Sequence, residues 1–278
     1  MVIERGLVQA MADEIQKQQL SSLDISTPGL EFREPPPRWM KVCALGVHFY
    51  TASGALLAFL IVLAAIRGNA VQALWLALLA LVIDGTDGWL ARRFHVKETL
   101  PWFDGARLDD IVDYLTYVFA PILLLWNTGH LPIGPAGIIL AALPLLASGY
   151  QFSRVDAKTD DHFFLGFPSY WNVVAFYIII FNLSPIIVGA ILLTCSVLVF
   201  VPIRYLYPSR TVIFRPLTLA LTGIWLLSYA LILQEMPTPQ PLLAIFSLFY
   251  LLYYAGLSLY LTLKKGKSDP FHPTTRIF

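Results

Sequence analysis

Eight long apolar stretches, separated by short polar connections, constrain the fold of this chain more than any other feature. They cover residues 44–66, 71–92, 108–126, 133–152, 170–183, 185–206, 216–234 and 241–263. A helix needs about 20 apolar residues to cross the hydrocarbon core of a bilayer, and most of the stretches come close to that length. Hydrophobic residues make up 57% of the sequence and charged residues only 13%, which is typical of membrane proteins. We therefore expect an all-α, polytopic membrane protein with about eight transmembrane helices.

The basic residues lie almost entirely on alternate connections between these stretches. Of the 19 lysines and arginines, only Arg67 falls in the other set of connections. Because cytoplasmic loops carry an excess of Lys and Arg, this asymmetry predicts that both termini are cytoplasmic. It also favours an even number of spans. The net charge of +1 gives no reason to expect a nucleic-acid partner.

Polar segments precede and follow the apolar region. Leu7, Met11 and Ile15 recur every four residues among polar neighbours. This spacing predicts a short amphipathic helix on the membrane surface, and a frayed tail is the alternative. We expect a cytoplasmic N-terminal segment over residues 1–42, a transmembrane domain over residues 43–264 and a cytoplasmic tail over residues 265–278.

Four aspartates lie at the cytoplasmic ends of the second and third apolar stretches. Asp84 and Asp87 are three residues apart and Asp109 and Asp113 are four apart, so each pair lies on one face of a helix. A carboxylate inside a hydrophobic span is costly and is seldom retained without a partner or a function. Facing pairs of carboxylates supply the oxygen ligands that Mg²⁺ and Mn²⁺ prefer. We therefore predict that these four residues bind two divalent cations, Mn²⁺ or Mg²⁺.

The residues around the aspartates are typical of a site for a phosphate ligand. At a rise of about 1.5 Å per residue, Asp84 lies roughly 12 Å inside the end of its span at Arg92. Gly88 and Gly105 leave room for a ligand to approach the backbone. Arg92 and Arg107 offer donors for phosphate oxygens. This combination predicts phosphate chemistry at the cytoplasmic headgroup level.

The same residues resemble a known signature. The pattern Asp84-x2-Asp87-Gly88-x2-Ala91-Arg92, followed by Gly105-x3-Asp109-x3-Asp113, contains all eight signature positions of the CDP-alcohol phosphotransferases. Twelve residues separate Arg92 from Gly105, more than in the usual family pattern. This longer gap, the eight predicted spans and the segment FLGFPSYWN at 164–172 resemble the bacterial subgroup that forms phosphatidylcholine.

The resemblance implies a reaction and a role for each motif residue. CDP-diacylglycerol would donate its phosphatidyl group to choline, and CMP would leave. In the family the first three motif aspartates, here Asp84, Asp87 and Asp109, hold metal ions, and the fourth, here Asp113, also contacts metal and acts as general base. Gly88, Ala91 and Arg92 match positions associated with the CDP moiety, and Gly105 matches one associated with the nucleotide. The resemblance also implies a catalytic domain within residues 43–264, a bacterial inner-membrane location and a homodimer.

The acceptor alcohol is the less constrained part of this interpretation. Choline is a quaternary ammonium that proteins bind with aromatic faces. The candidate aromatic residues are Tyr170, Trp171, Tyr177 and Trp89, and an aromatic belt at the membrane interface is the alternative explanation for each of them. Glycerol 3-phosphate would need a second basic cluster, which Arg154 and Lys158 could begin, and Arg154 could also bind the carboxylate of serine. We keep Arg154 as a candidate phosphate-binding residue.

A cation-coupled transporter is the remaining alternative from another functional class. Such a protein would place its acidic residues near the membrane midplane, on broken helices related by an internal repeat. This sequence instead gathers its aspartates at one interface, so an enzyme is favoured.

Overall fold

The computed structural model describes residues 36–268, with side chains described as far as residue 264. The predicted amphipathic helix around Leu7, Met11 and Ile15 lies outside the described residues, as does most of the predicted tail. The boundaries of the predicted N-terminal segment and tail therefore stay predictions.

Helices make up most of the described chain. They are α1 (Arg38–Ile66), α2 (Ala70–Arg93), α3 (Val96–Thr99), α4 (Gly105–Asp113), a π-helix (Tyr114–Phe119), α5 (Ala120–Asn127), α6 (Pro135–Ser153), α7 (Trp171–Ile180), α8 (Pro185–Leu198), α9 (Arg215–Gln234) and α10 (Pro241–Ser268). Two short strands, β1 (Phe163–Leu165) and β2 (Arg204–Leu206), form the sheet seen in these residues. The all-α prediction is confirmed.

Five of the described helices are long and apolar enough to cross a membrane. They are α1, α2, α6, α9 and the Pro241–Lys264 part of α10, and they confirm a multi-pass membrane protein. The prediction of eight spans is not confirmed. The fifth and sixth apolar stretches form α7 and α8, with only 10 and 14 residues, which at about 1.5 Å per residue is shorter than a hydrocarbon core of about 30 Å.

Local sequence signals set the ends of the long helices. The side chain of Asn69 caps α2 by accepting a hydrogen bond from the backbone N–H of Gln72 at 3.0 Å, which satisfies one of the free donors of the first turn. Pro135 and Pro185 occupy the first turns of α6 and α8, where the missing N–H has no cost. The polar connections of the sequence thus coincide with the ends of the helices.

Close packing of α1 against α2 and α4 forms the framework of the site. Buried alanines line the contact between α1 and α2, including Ala58, Ala64, Ala73 and Ala77. Small residues let helix backbones approach closely in membranes. Gly54 does the same against α4, because a Cβ there would lie 2.5 Å from Cγ1 of Val112.

The third apolar stretch forms one composite helix. The segments α4, the π-helix and α5 follow one another without a break and contain 9, 6 and 8 residues. The π-helix adds a residue to the local turn and so changes which side chains face α2 beyond Asp113. Asp113 and Tyr117, one helical turn apart, both approach the carboxylate of Asp84.

The two strands join distant parts of the chain on one side of α10. Strand β1 pairs antiparallel with β2, with Phe163 opposite Leu206. Hydroxyl groups of α10 then complete the outer edge of β2: Ser258 accepts from the N–H of Leu206 at 3.1 Å, and Thr262 accepts from the N–H of Arg204 at 2.9 Å. Edge N–H groups inside a folded protein need such partners. The sheet is therefore fixed to α10.

We expect Gly54→Ala to destabilise the protein by overpacking the contact between α1 and α4. The added methyl would meet the stiff, β-branched side chain of Val112, and overpacking of about 1–3 kcal/mol would lower Tm by about 2–10 °C. Thermal unfolding in detergent measures the shift. Gly46→Ala is the matched control, because nothing lies within 4 Å of a Cβ at that position of the same helix. An unchanged Tm for Gly54→Ala, or no recovery when Val112→Ala is added, would contradict this packing.

Candidate active site

Two helices position the four aspartates. The carboxylates of Asp84 and Asp87 project from the last turns of α2, and those of Asp109 and Asp113 from α4. The start of α4 is fixed by Asp104, whose carboxylate accepts hydrogen bonds from the N–H groups of Ala106 and Arg107, both at 3.2 Å. This N-cap sets the register of α4, and therefore the face on which its aspartates lie.

Three of the carboxylates converge. One oxygen from each of Asp84, Asp109 and Asp113 lies within 4.8 Å of the others, and all three residues are half-buried. Asp87 is buried and lines the same cavity as the other three. The structure therefore brings together all four aspartates that the sequence predicts, with three of them close enough to share one ion.

Two hydroxyl groups hold the aspartates of α2. The phenol of Tyr117 donates to Oδ2 of Asp84 at 2.5 Å, and Thr51 donates to Oδ2 of Asp87 at 2.7 Å. Residues that hydrogen-bond to metal ligands fix their orientation. Neither residue is among those predicted from the sequence. Tyr117 could have been found, since it follows Asp113 by one helical turn, whereas Thr51 belongs to α1 and has no local signal.

The donor set of this cluster fits divalent cations. Like charges at such distances repel one another in a poorly solvated place. Hard cations such as Mg²⁺ and Mn²⁺ prefer carboxylate oxygens and would relieve that repulsion. Lys158 lies beside the cluster, and its ammonium is 3.4 Å from the carboxylate of Asp110. Lys158 therefore forms an ion pair with Asp110, which does not belong to the group of three converging carboxylates.

Comparisons with known proteins agree with this geometry. The family model described as CDP-alcohol phosphatidyltransferase matches residues 48–202. The chain is 40% identical over 223 residues to the phosphatidylcholine synthase of Pseudomonas aeruginosa, covering 79% of this chain and 92% of that protein. It is 41% identical over 223 residues to the phosphatidylcholine synthase of Legionella pneumophila, covering 78% and 87% of the two chains. A third relative, the phosphatidylcholine synthase of Rhizobium meliloti, is 36% identical over 233 residues, covering 83% and 96%.

This chain belongs to the CDP-alcohol phosphatidyltransferase family. Members of the family use divalent cations, which agrees with the carboxylate donor set. The family model includes α2 and α4 and therefore the complete aspartate cluster.

The glycines of the family motif differ in their surroundings. At Gly88 a Cβ would meet only Nη1 of Arg92, at 3.3 Å, so this turn of α2 is open to a ligand. At Gly105 a Cβ would lie 2.7 Å from Cε1 of His48, and the His48 ring itself packs 4.3 Å from the ring of Phe103. The imidazole of His48 thus occupies the space beside Gly105, and a role for Gly105 toward the nucleotide stays a prediction.

The remaining residues predicted to contact phosphate lie in different settings. Ala91 packs half-buried beside a small apolar cluster, and Arg92 is exposed at the end of α2. The Arg107 side chain is 85% exposed and 3.5 Å from Asp104. Arg154 donates two hydrogen bonds to Asp156, at 2.6 and 2.7 Å, and these bonds lower the pKa of that carboxyl below its ordinary value. Its guanidinium is therefore already paired.

The structure separates the four aromatic residues predicted to bind choline. Tyr170 is half-buried, and its ring lies 5.8 Å from that of Tyr117. Trp171 is completely buried and donates to Ser148 at 2.7 Å. Tyr177 is buried and hydrogen-bonded to Ser247 and Trp225, while Trp89 is 58% exposed on α2. Of the four, Tyr170 is the one whose contacts lead directly to the aspartates.

We expect Tyr117→Phe to weaken Mn²⁺ binding by about tenfold, since loss of a hydrogen bond to a metal ligand has an effect of that order. The phenol would no longer orient the carboxylate of Asp84. Titration of Mn²⁺ followed by electron paramagnetic resonance measures the affinity without any substrate. Tyr114→Phe is the matched control, because this tyrosine belongs to the same π-helix but donates to the carbonyl of Leu145. Equal affinities for the two variants would show that the contact between Tyr117 and Asp84 does not support a metal site.

Proposed function

We propose that this protein transfers the phosphatidyl group of CDP-diacylglycerol to choline, which gives phosphatidylcholine and CMP. The observation that carries the proposal is the convergence of Asp84, Asp109 and Asp113 on a family scaffold. Relatives that cover most of the chain, at 36% to 41% identity, bear the name phosphatidylcholine synthase. We place the reaction at the cytoplasmic face of a bacterial inner membrane, as the distribution of Lys and Arg predicts.

The four aspartates would hold two divalent cations, Mn²⁺ or Mg²⁺. Such ions neutralise a diphosphate and the charge that develops on its leaving oxygen. Tyr117 and Thr51 keep the carboxylates of Asp84 and Asp87 oriented through their hydrogen bonds. The protein's own contribution at this point is a rigid, partly desolvated set of oxygens at the end of α2 and α4.

Asp113 is the proposed general base. As the choline oxygen attacks the lipid-side phosphorus, the hydroxyl proton passes to the Asp113 carboxylate. A new P–O bond forms to choline while the bond from that phosphorus to the bridging oxygen breaks, and the electron pair leaves on CMP. A positioned base is needed because an alcohol is a poor nucleophile at neutral pH.

The donor substrate would approach from the open side of α2. Gly88 and Ala91 present a small surface to the CDP moiety, and Arg92 is exposed where it can donate to phosphate oxygens. Arg107 is a further exposed donor at the start of α4. The acyl chains would remain in the bilayer, since the site lies within a turn or two of the helix ends. A homodimer is part of this proposal through the family resemblance.

The charges around the site favour choline over the alternative acceptors. Glycerol 3-phosphate or serine would need a free basic group for its anion. Arg154, the candidate for that role, is paired with Asp156, and Lys158 is paired with Asp110. A cationic acceptor needs no such group.

Acceptor specificity tests the reaction directly. We expect the purified protein in detergent, with CDP-diacylglycerol and Mn²⁺ or Mg²⁺, to release CMP when choline is added. No comparable release should occur with serine, glycerol 3-phosphate or inositol, each supplied alone, and EDTA should abolish the reaction. Release with a different acceptor would keep the chemistry and overturn the choice of choline. Absence of release with all four acceptors would overturn the proposed activity.

Asp113→Asn should lower kcat by about 10²–10⁴-fold, the usual contribution of a general base, while CDP-diacylglycerol still binds. Single-turnover rates and equilibrium binding of CDP-diacylglycerol measure the two quantities separately. The control is Asp110→Asn, since Asp110 contacts Lys158 instead of the cluster, and most of the activity should remain. Binding that falls as steeply as the rate would rule out the assignment of Asp113 as base.

A further inference from the structure

Aromatic side chains gather beside the acidic cluster, and Tyr170 is their centre. Its ring centroid lies 6.4 Å from Phe164, with the rings edge to face, and 6.2 Å from Tyr254. Phe164 in turn stacks on Tyr207 at 4.7 Å. We call Phe164, Tyr170, Tyr207 and Tyr254 the aromatic pocket.

Three separate elements hold these rings in place. Phe164 lies in β1, Tyr207 directly follows β2, and Tyr254 belongs to α10. The hydroxyl of Tyr254 donates to the carbonyl of Leu206 at 2.8 Å, so the α10 ring is fixed to the strand that leads to Tyr207. A site built on rigid elements can keep its geometry without a bound ligand.

All four pocket residues are half-buried. They differ in this from the aromatic pair Phe176 and Tyr229, which stack at 3.6 Å and are buried inside the helix bundle. An aromatic face with solvent access at the edge of a site is available to a ligand, whereas a buried pair serves packing. Aromatic faces attract cations that cannot donate hydrogen bonds, and quaternary ammonium groups are the leading example.

The pocket lies one side chain away from the reacting groups. The Tyr170 ring is 5.8 Å from that of Tyr117, and the Tyr117 hydroxyl donates to Asp84 at 2.5 Å. In choline, two carbon atoms separate the trimethylammonium from the hydroxyl. Asp84 is close enough to Tyr170 to interact with it electrostatically, so a headgroup against Tyr170 would have its hydroxyl near the carboxylates. Lys158 and Arg210 interact electrostatically with Tyr207, and the ammonium of Lys158 lies 3.4 Å from the carboxylate of Asp110, so Tyr207 is a lesser contact than Tyr170.

We propose that Phe164, Tyr170, Tyr207 and Tyr254 bind the trimethylammonium group of choline, with Tyr170 as the principal contact. This inference rests on the proposed function, since it assigns the acceptor subsite of that reaction. It replaces Trp171 and Tyr177 as candidates, because these two side chains are buried in the helix core, whereas the four pocket residues are half-buried.

The test compares choline with 3,3-dimethylbutan-1-ol, its uncharged isostere, as acceptors. For each variant the measured quantity is the ratio of kcat/KM for choline to kcat/KM for the isostere. Partition of the alcohol into detergent is the same for all variants, so it cancels when their ratios are compared. Wild type should prefer choline, because the pocket recognises charge as well as shape.

Tyr170→Leu keeps an apolar side chain of moderate size but removes the aromatic face. We expect the choline-to-isostere ratio to fall about tenfold, as loss of a cation–π contact predicts, with KM for choline raised and KM for CDP-diacylglycerol unchanged. Tyr170→Phe keeps the face and should keep the ratio. Tyr260→Leu is the matched control, since Tyr260 is exposed on α10 outside the pocket, and it should behave as wild type.

The outcomes separate this inference from the function on which it rests. If wild type uses choline but Tyr170→Leu loses activity on both acceptors equally, the ring has a structural role only and the inference is wrong. If the choline-to-isostere ratio is unchanged in Tyr170→Leu, Tyr207→Leu and Phe164→Leu, none of these rings recognises the charge of choline and the pocket is excluded. If wild type does not use choline at all, the proposed function itself fails.

Discussion

Mutual repulsion among carboxylates at the membrane interface is the constraint on which the rest of this structure depends. Asp84, Asp109 and Asp113 are brought within 4.8 Å of one another, a spacing at which carboxylates repel strongly where water is scarce. Support for this arrangement comes from close helix packing at Gly54 and from the hydroxyls of Thr51 and Tyr117. The positive charge that offsets this repulsion has to come from a ligand. Divalent cations would supply it.

The sequence predicts the acidic site well, because a local pattern encodes it. Spacings of three and four residues determine which aspartates share a helix face, and the structure places all four around one cavity. The two helices that carry the aspartates are brought together by packing against α1, which no local pattern predicts. Helical structure across the apolar stretches is also predictable, because the backbone N–H and C=O groups of a segment in a bilayer must form hydrogen bonds within that segment.

Other features depend on contacts between distant residues, and the sequence does not reveal them. The apolar composition of residues 170–183 and 185–206 favours full spans, but the structure forms short helices there and turns residues 204–206 into a strand. Trp171 fits a choline-binding role by composition, yet its indole is committed to Ser148. Thr51 reaches Asp87 from α1, and Tyr207 reaches the site through strand pairing. Such contacts follow from tertiary packing, which overrides local pattern.

The small sheet fixed to α10 joins the segment matched by the family model to the part of the chain that follows it. The segment matched by the family model ends at residue 202 and contains every aspartate of the cluster, whereas β2, Tyr207 and Tyr254 lie beyond it. Strand β2 begins just after this boundary and is attached on one side to β1, within the matched segment, and on the other to the hydroxyls of Ser258 and Thr262. The aspartate cluster is therefore encoded in one stretch of the gene, and the nearby residues Tyr207 and Tyr254 are encoded in another. Changes confined to the second stretch would alter Tyr207 and Tyr254 while leaving the aspartates, Phe164 and Tyr170 intact.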